Sequence, residues 1–159
     1  MERKFILCNA FSLQMFNGSK RIDFEEINQN YAKSLMHNHD VVSAIGHQDT
    51  ANVLSNIFDK EIIMNRTNVS IDSNTTLIIA QLVGGRLPEG STTLPEGFKF
   101  KFYKVETIEN WWLESCYEDG GDMTCVSFIG TYTEAFNASY NLLPYNGMEV
   151  KASVKIKED

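Results

Sequence analysis

Thr76 to Val83, TLIIAQLV, constrains the fold more than any other stretch of the chain. It is a continuous apolar run with turn signals after it, so it suits a strand at the centre of a sheet, buried on both faces. The neighbouring segments supply the rest of such a sheet. Lys4 to Asn9, KFILCN, is a shorter apolar run fit for a buried strand, ending in the polar turn Asn9-Ala10-Phe11-Ser12. Arg21 to Glu25 alternates, with Ile22 and Phe24 on one side, and reads as an edge strand. Phe98, Phe100 and Phe102 alternate against Lys99, Lys101 and Lys104, which predicts a half-buried strand at an edge, where lysines discourage stray pairing. Glu61 to Ile71 holds a weak strand, with Val69 and Ile71 alternating about Ser70. Glu26 to Asn38 is helical by its spacing of Ile27, Tyr31 and Leu35. Strands mixed with helices predict an α/β domain over residues 1–106, a mixed sheet flanked by helices.

The character changes after residue 106. Tyr117 to Met123, YEDGGDM, is a hairpin turn signal between a Trp-bearing segment, Ile108 to Trp112, and a strand over Cys125 to Tyr132. Thr133 to Leu143 reads as a helix capped by Thr133 and stopped before Pro144. Met148 to Ile156 alternates cleanly as a last strand. Residues 107–159 therefore form a β-rich extension that packs on the first domain or on a partner subunit. Trp111 and Trp112 are read as packing residues.

A length of 159 residues suits one domain with such an extension. The net charge of −7 argues against duplex nucleic acid or an anionic membrane as partner, though not against one small anion in a local pocket. Cys8, Cys116 and Cys125 are odd in number with no CxxC, so neither a disulfide framework nor a zinc site is expected. His37 and His39 lack a companion carboxylate or thiol cluster and read as a solvated turn. No cofactor is expected. No signal-peptide core or membrane span is present in the sequence, and the expected compartment is the cytoplasm.

One stretch carries chemistry. Ser43 to Thr50, SAIGHQDT, reads as the end of one helix, a break at Gly46 with positive φ, and a second helix capped by Asp49 or Thr50. Val53, Leu54, Ile57 and Phe58 form the apolar stripe of that second helix. His47 would then stand beside a helix N-terminus, where free N–H groups and the dipole favour an anion. Gly84 to Gly97, GGRLPEGSTTLPEG, is a loop of lid character around Arg86.

Taken together, Asn9-Ala10-Phe11-Ser12-Leu13-Gln14-Met15, the Ser43–Thr50 stretch, Asn65-Arg66, Gln81 and Gly85-Arg86-Leu87-Pro88-Glu89-Gly90 resemble the viral ring nuclease (type III anti-CRISPR) family, in its order and near its spacing over residues 3–106. The resemblance implies a homodimeric α/β protein that binds cyclic tetra-adenylate, the messenger of type III CRISPR defence. It further implies cleavage without a metal to linear di-adenylate with a 2′,3′-cyclic phosphate end. Carried over, the catalytic histidine falls on His47, and the substrate-binding residues on Asn9, Ser12, Arg86 and Glu89, with Gln81 near the ligand. Residues 107–159 lie outside the family's pattern.

The chemistry is reasonable for these residue types. A ribose 2′-OH attacks its own 3′-phosphate, so no protein nucleophile is required. The protein must hold the in-line geometry, neutralise the phosphate and protonate the leaving 5′-oxygen. Histidine suits the proton donor and arginine the phosphate. Each residue also has a structural reading: Ser12 can simply tie a turn, and Glu89 can pair with Arg86 to order the loop. Two other functions remain open at this point. One is a non-catalytic protein that sequesters the cyclic nucleotide. The other is a module that uses the same fold to bind protein or DNA.

Overall fold

The computed structural model describes residues 2–18, 20–117, 123–144 and 149–158. They fall into two compact units, residues 1–19 with 24–105 and residues 20–23 with 106–159. The chain is a mixed α/β protein with a five-stranded mixed sheet in the first unit and a separate antiparallel sheet in the second.

The strands of the larger sheet are β1 (Lys4–Cys8), β2 (Ile22–Ile27), β3 (Val41–Ala44), β4 (Thr75–Val83) and β5 (Lys99–Thr107), in the order β2-β5-β4-β1-β3. β1 pairs in parallel with both β3 and β4, while β4 and β5 are antiparallel. Helices α1 (Gln29–Asn38) and α2 (Gln48–Phe58) complete the unit. They bury Leu35, Met36, Leu54 and Phe58 against Phe5, Leu7, Ile78, Ala80 and Phe102 of the sheet. Six consecutive residues of β4, Thr75 to Ala80, are buried, as its unbroken apolar run requires. Leu54 has no exposed surface, and truncating it to alanine would cost about 2–5 kcal/mol. That packing fixes the axis of α2 and hence the place of its first residues.

Several expectations are corrected. Residues 41–44 are a strand, not a helix: Val41 and Val42 are β-branched, and β1 offers a parallel partner from Phe5 to Cys8. Gly46 accordingly lacks a positive φ, and His47 itself is the N-cap of α2, with extended φ −131° and ψ 134°. β5 is an interior strand, because β2 covers its outer side. Its Lys104 is buried, sharing a strand face with Phe102. It reaches Glu25 of β2 at 3.1 Å and lies over the Tyr31 ring. The 61–71 segment gives only one bridge, between Ile71 and Phe16. His37 and His39 are exposed, as expected, but lie in the last turn and at the C-cap of α1 rather than in a separate turn. His37 Nε2 lies 2.6 Å from the Phe58 carbonyl oxygen, and His39 stacks on Phe5 with centroids 3.8 Å apart.

In the second unit β6 (Glu109–Tyr117) lies between β7 (Thr124–Gly130) and β8 (Val150–Ile156), antiparallel to both. The expected hairpin turn over 117–123 falls largely on residues outside the described ones. Trp111 is buried against Leu113 and Ala135 and donates its indole N–H to the Gly130 carbonyl at 2.9 Å. Trp112 faces the other way and is partly exposed. Helix α3 (Tyr132–Tyr140) is capped by Thr131 rather than Thr133, in a capping box with Glu134. Thr133 instead donates to the buried Glu106 carboxylate from its backbone N–H and its hydroxyl.

The His39–Phe5 stack has a consequence for pH. Desolvation lowers the His39 pKa below its ordinary value of about 6.5, so protonation opposes folding. The sign follows from linkage: the stabilisation is complete above the unfolded pKa and is lost as pH falls through the lowered folded value. Melting temperature is expected to drop between pH 7.5 and pH 5.5, and His39→Gln is expected to flatten that slope in thermal melts.

Candidate functional site

Parallel pairing brings the carboxyl ends of β1 and β3 to one edge, with β4 beside them running on to Val83. Cys8, the last residue of β1, is level with Ala44, the last of β3, and with Ile79 of β4. Chain leaving this edge carries Asn9 from β1 and Ile45-Gly46-His47 from β3. In open parallel sheets this carboxyl edge, where connections diverge to either side of a strand, is where ligands bind.

His47 stands at the start of α2 and makes no side-chain cap. Its imidazole is exposed. The Ala51 N–H returns to the His47 carbonyl at 3.1 Å, while the N–H groups of the preceding turn point out of the helix end. Asp49 is the acidic residue of that turn. Its Oδ1 accepts the Gly90 N–H at 3.0 Å, and one side of α2 further along carries Asn56, whose amide donates to the Thr92 carbonyl. The loop of Arg86 and Glu89 is therefore clipped lengthwise to α2. Leu87 is buried as its anchor, and the Ser91 hydroxyl donates to the Pro88 carbonyl at 2.6 Å. Gly84 makes the base of the loop tight. Its φ is +125°, and an added Cβ would come within 3.0 Å of the Phe98 Cα. Arg86 and Glu89 themselves are exposed.

Arg66 reaches the same place from another direction. Asn65 donates its backbone N–H to the Ile45 carbonyl at 2.9 Å and its side-chain amide to the Ser43 carbonyl at 2.7 Å. That holds Arg66 with Nη2 3.4 Å from the Gly46 carbonyl, next to His47. Sequence reasoning had the Asn65-Arg66 pair among its motifs but gave it no place in the site. It also read Asp49 as a cap, whereas the carboxylate holds the loop. The signal for Arg66 was an arginine directly after an asparagine able to tie its own segment to a strand end.

Asn9 and Ser12 occupy the other face of the strand edge. Together with Cys8, Ala44 and residues 67–70 they line a hollow of about 530 Å³. Ser12 caps a three-residue 3-10 turn, its hydroxyl accepting the Gln14 N–H at 3.3 Å, so the turn-tying role is realised. Gln81 lies further along β4, level with Lys101 of β5, on the face of Leu77 and Ile79 rather than the face that carries α2. Its amide donates to the Leu82 carbonyl. The structure thus places Asn9 and Ser12 around one hollow, Arg66 on Gly46 beside His47, and the Arg86–Glu89 loop on the first turn of α2 through Asp49. It leaves Gln81 apart from α2. Cys8, within the hollow, donates its thiol to the Ala10 carbonyl at 3.0 Å, and burial pushes its pKa up to about 11. It is a thiol at neutral pH and no nucleophile. Among the described residues no group of three or more His, Cys, Asp and Glu side chains is disposed to hold a metal ion. Nor is any described helix long and apolar enough to cross a membrane.

The comparisons with known proteins concern the first unit. The family model described as STIV B116-like matches residues 5–104, ending where the second unit begins. A protein of Sulfolobus islandicus filamentous virus (isolate Iceland/Hveragerdi), described as "Uncharacterized protein 26", is 36% identical over 111 residues, covering 65% of this chain and 93% of that one. The solved structure of B116 of Sulfolobus turreted icosahedral virus matches with a TM-score of 0.57 at 24% identity, covering 65% of this chain and 98% of that one. At that identity it supports the fold of the first unit alone.

Two outcomes are expected. Asp49→Ala frees the loop, seen as faster amide exchange at Gly90 and its neighbours, while Asp49→Asn, which keeps an acceptor oxygen, largely restores protection. A thiol-reactive dye at neutral pH labels Cys125, which is exposed, and spares Cys8 until the protein is denatured.

Proposed function

The chain belongs to the STIV B116-like family, which is the family of the viral ring nucleases, and from that premise we propose that it binds and cleaves cyclic tetra-adenylate without a metal. The observation that carries the reading is that, where α2 begins beside the ends of β1 and β3, Arg66 reaches the carbonyl of Gly46 next to His47 and Asp49 of the first turn holds Gly90 of the Arg86–Glu89 loop. An anionic, phosphate-rich ring is the ligand such an edge suits: two arginine forks for phosphate oxygens, a helix N-terminus for a third contact, and one histidine.

In this reaction the 2′-oxygen of one adenylate attacks the adjacent phosphorus, and the bond from phosphorus to the 5′-oxygen breaks. The products are a 2′,3′-cyclic phosphate and a free 5′-hydroxyl. One proton leaves the 2′-hydroxyl and one is delivered to the 5′-oxygen, so no water and no redox partner is consumed. His47 supplies the second proton as general acid. Arg86 and Arg66 offset the charge that grows on the phosphoryl oxygens, and the α2 N–H groups aid them. Asn9 and Ser12, on the other side of the edge, hold the ribose and base that must stay in line. Glu89 orders the loop around Arg86. Gln81 makes a peripheral contact. A ring with two-fold symmetry meets two such sets in a homodimer and is cut twice, giving two di-adenylates. The consequence is the silencing of type III CRISPR signalling in the cytoplasm of the host cell.

Incubation with cyclic tetra-adenylate in EDTA tests this directly. The expected product is linear di-adenylate with a 2′,3′-cyclic phosphate, identified by mass. His47→Ala is expected to slow single-turnover cleavage by about 10²–10⁴-fold while still binding the ring. An intact ring held equally by both proteins would make this a sequestering protein. Absence of binding to any cyclic oligoadenylate would contradict the reading altogether.

A further inference from the structure

The two edges of the smaller sheet are built differently. Strand β8 carries Lys151 and Lys155 on the sheet face that Trp112 also occupies, with Ser153 between them. Strand β7, TCVSFIG over Thr124–Gly130, carries no charged residue and no proline. It pairs with β6 on one side and forms the opposite edge. Its apolar side chains are unusually open, with Ile129 69% and Val126 38% exposed, and Met123 just before the strand 67% exposed. An uncharged, β-branched edge strand of this length presents a row of backbone N–H and C=O groups ready to pair.

We propose that β7 pairs antiparallel with β7 of a second copy of this chain, about a two-fold axis through Ser127, joining two three-stranded sheets into one of six. The register follows from parity. Residues directly opposite each other in an antiparallel pair point to the same face, so a self-pairing must centre on a residue. Only Ser127, the midpoint, overlaps the whole strand. Cys125 then faces the partner's Ile129, and Val126 faces the partner's Phe128. Within the strand, Val126 and Ile129 thus each meet a largely apolar side chain, and the contact is isologous and closed. The same operation on β8 would centre on Ser153 and set Lys151 opposite the partner's Lys155. Like charges directly opposite repel, so β8 is guarded where β7 is not. All the residues concerned lie in the second unit, outside the span matched by the family. The contact is therefore separate from the homodimer proposed for ring cleavage.

Disulfide trapping in the full chain tests it, with Cys116→Ser and Cys125→Ser removing the accessible thiols and leaving the buried Cys8. Residues directly opposite across the axis have Cα atoms roughly 4.5–5.5 Å apart, within the reach of a disulfide. Adding Ser127→Cys is expected to give a covalent dimer on mild oxidation, and Ser153→Cys on β8 to stay monomeric on a non-reducing gel. Adding Val126→Lys and Ile129→Lys to the Ser127→Cys chain is expected to abolish the crosslink, since Val126→Lys sets a charge against Phe128 of the second copy and the two substitutions together crowd like charges of both copies along the seam. Circular dichroism confirms that each variant is folded. Without extra cysteines, the same two lysine substitutions are expected to lower the weight-average mass in sedimentation at high protein concentration. A folded Ser127→Cys chain that stays monomeric overturns the proposal. So does a crosslink between Ser127→Cys and Ser153→Cys chains when mixed, which would mean open-ended β7–β8 pairing instead.

Discussion

Phe5 to Cys8 pair in parallel with β3 on one side and β4 on the other, and the rest of the first unit depends on that double pairing. It sets the direction of the connections, so β1, β3 and β4 run the same way and are joined by crossovers. It asks β4 to be apolar on both faces, because helices cover one side and the rings of Phe11, Phe16 and Phe24 gather at Tyr103, opposite Ile79, on the other. It also delivers Asn9 and Gly46-His47 side by side. No single side chain of the site is buried deeply. What positions them is backbone pairing behind and the packing of α2 beneath, with Leu54 and Phe58 fully enclosed.

Around that frame the loop contacts are weak individually and act together. Asp49, Asn56, Leu87 and Ser91 tie a segment rich in glycine and proline along one helix. Exposed hydrogen bonds of this kind open and close more readily than those of the buried strands, so the loop is the more adaptable part of the unit. Arg66 is held differently, by the bonds of Asn65 to the carbonyls of Ser43 and Ile45. One arginine thus rides on an adaptable loop and the other on the strand end.

Much of the fold was legible in the sequence where a pattern had one meaning. TLIIAQLV is the central strand, and the alternating Ile22 and Phe24 belong to an edge strand. The reading failed where local pattern and tertiary pairing compete. Val41-Val42-Ser43-Ala44 is too short for periodicity to separate a strand from a helical turn, and only the parallel partner β1 decides it. The FKFKFYK alternation suggested an edge because lysines guard edges. Here β2 supplies Glu25 to Lys104 and makes the strand interior. For the candidate site, the motifs nominated the residues, while their partition between the two faces of the strand edge came from sheet register. Asp49 as a loop clip could not be read at all, since its partner Gly90 lies 41 residues away.

The central claim is that a two-fold set of these residues receives one cyclic tetra-adenylate. Native mass spectrometry of the His47→Ala chain with the intact ring addresses it most directly, since the ring then survives long enough to be counted. The account predicts one ring bound per two chains, and loss of that species when Arg66 and Arg86 are both replaced by alanine. One ring per single chain, or binding indifferent to both arginines, would contradict it.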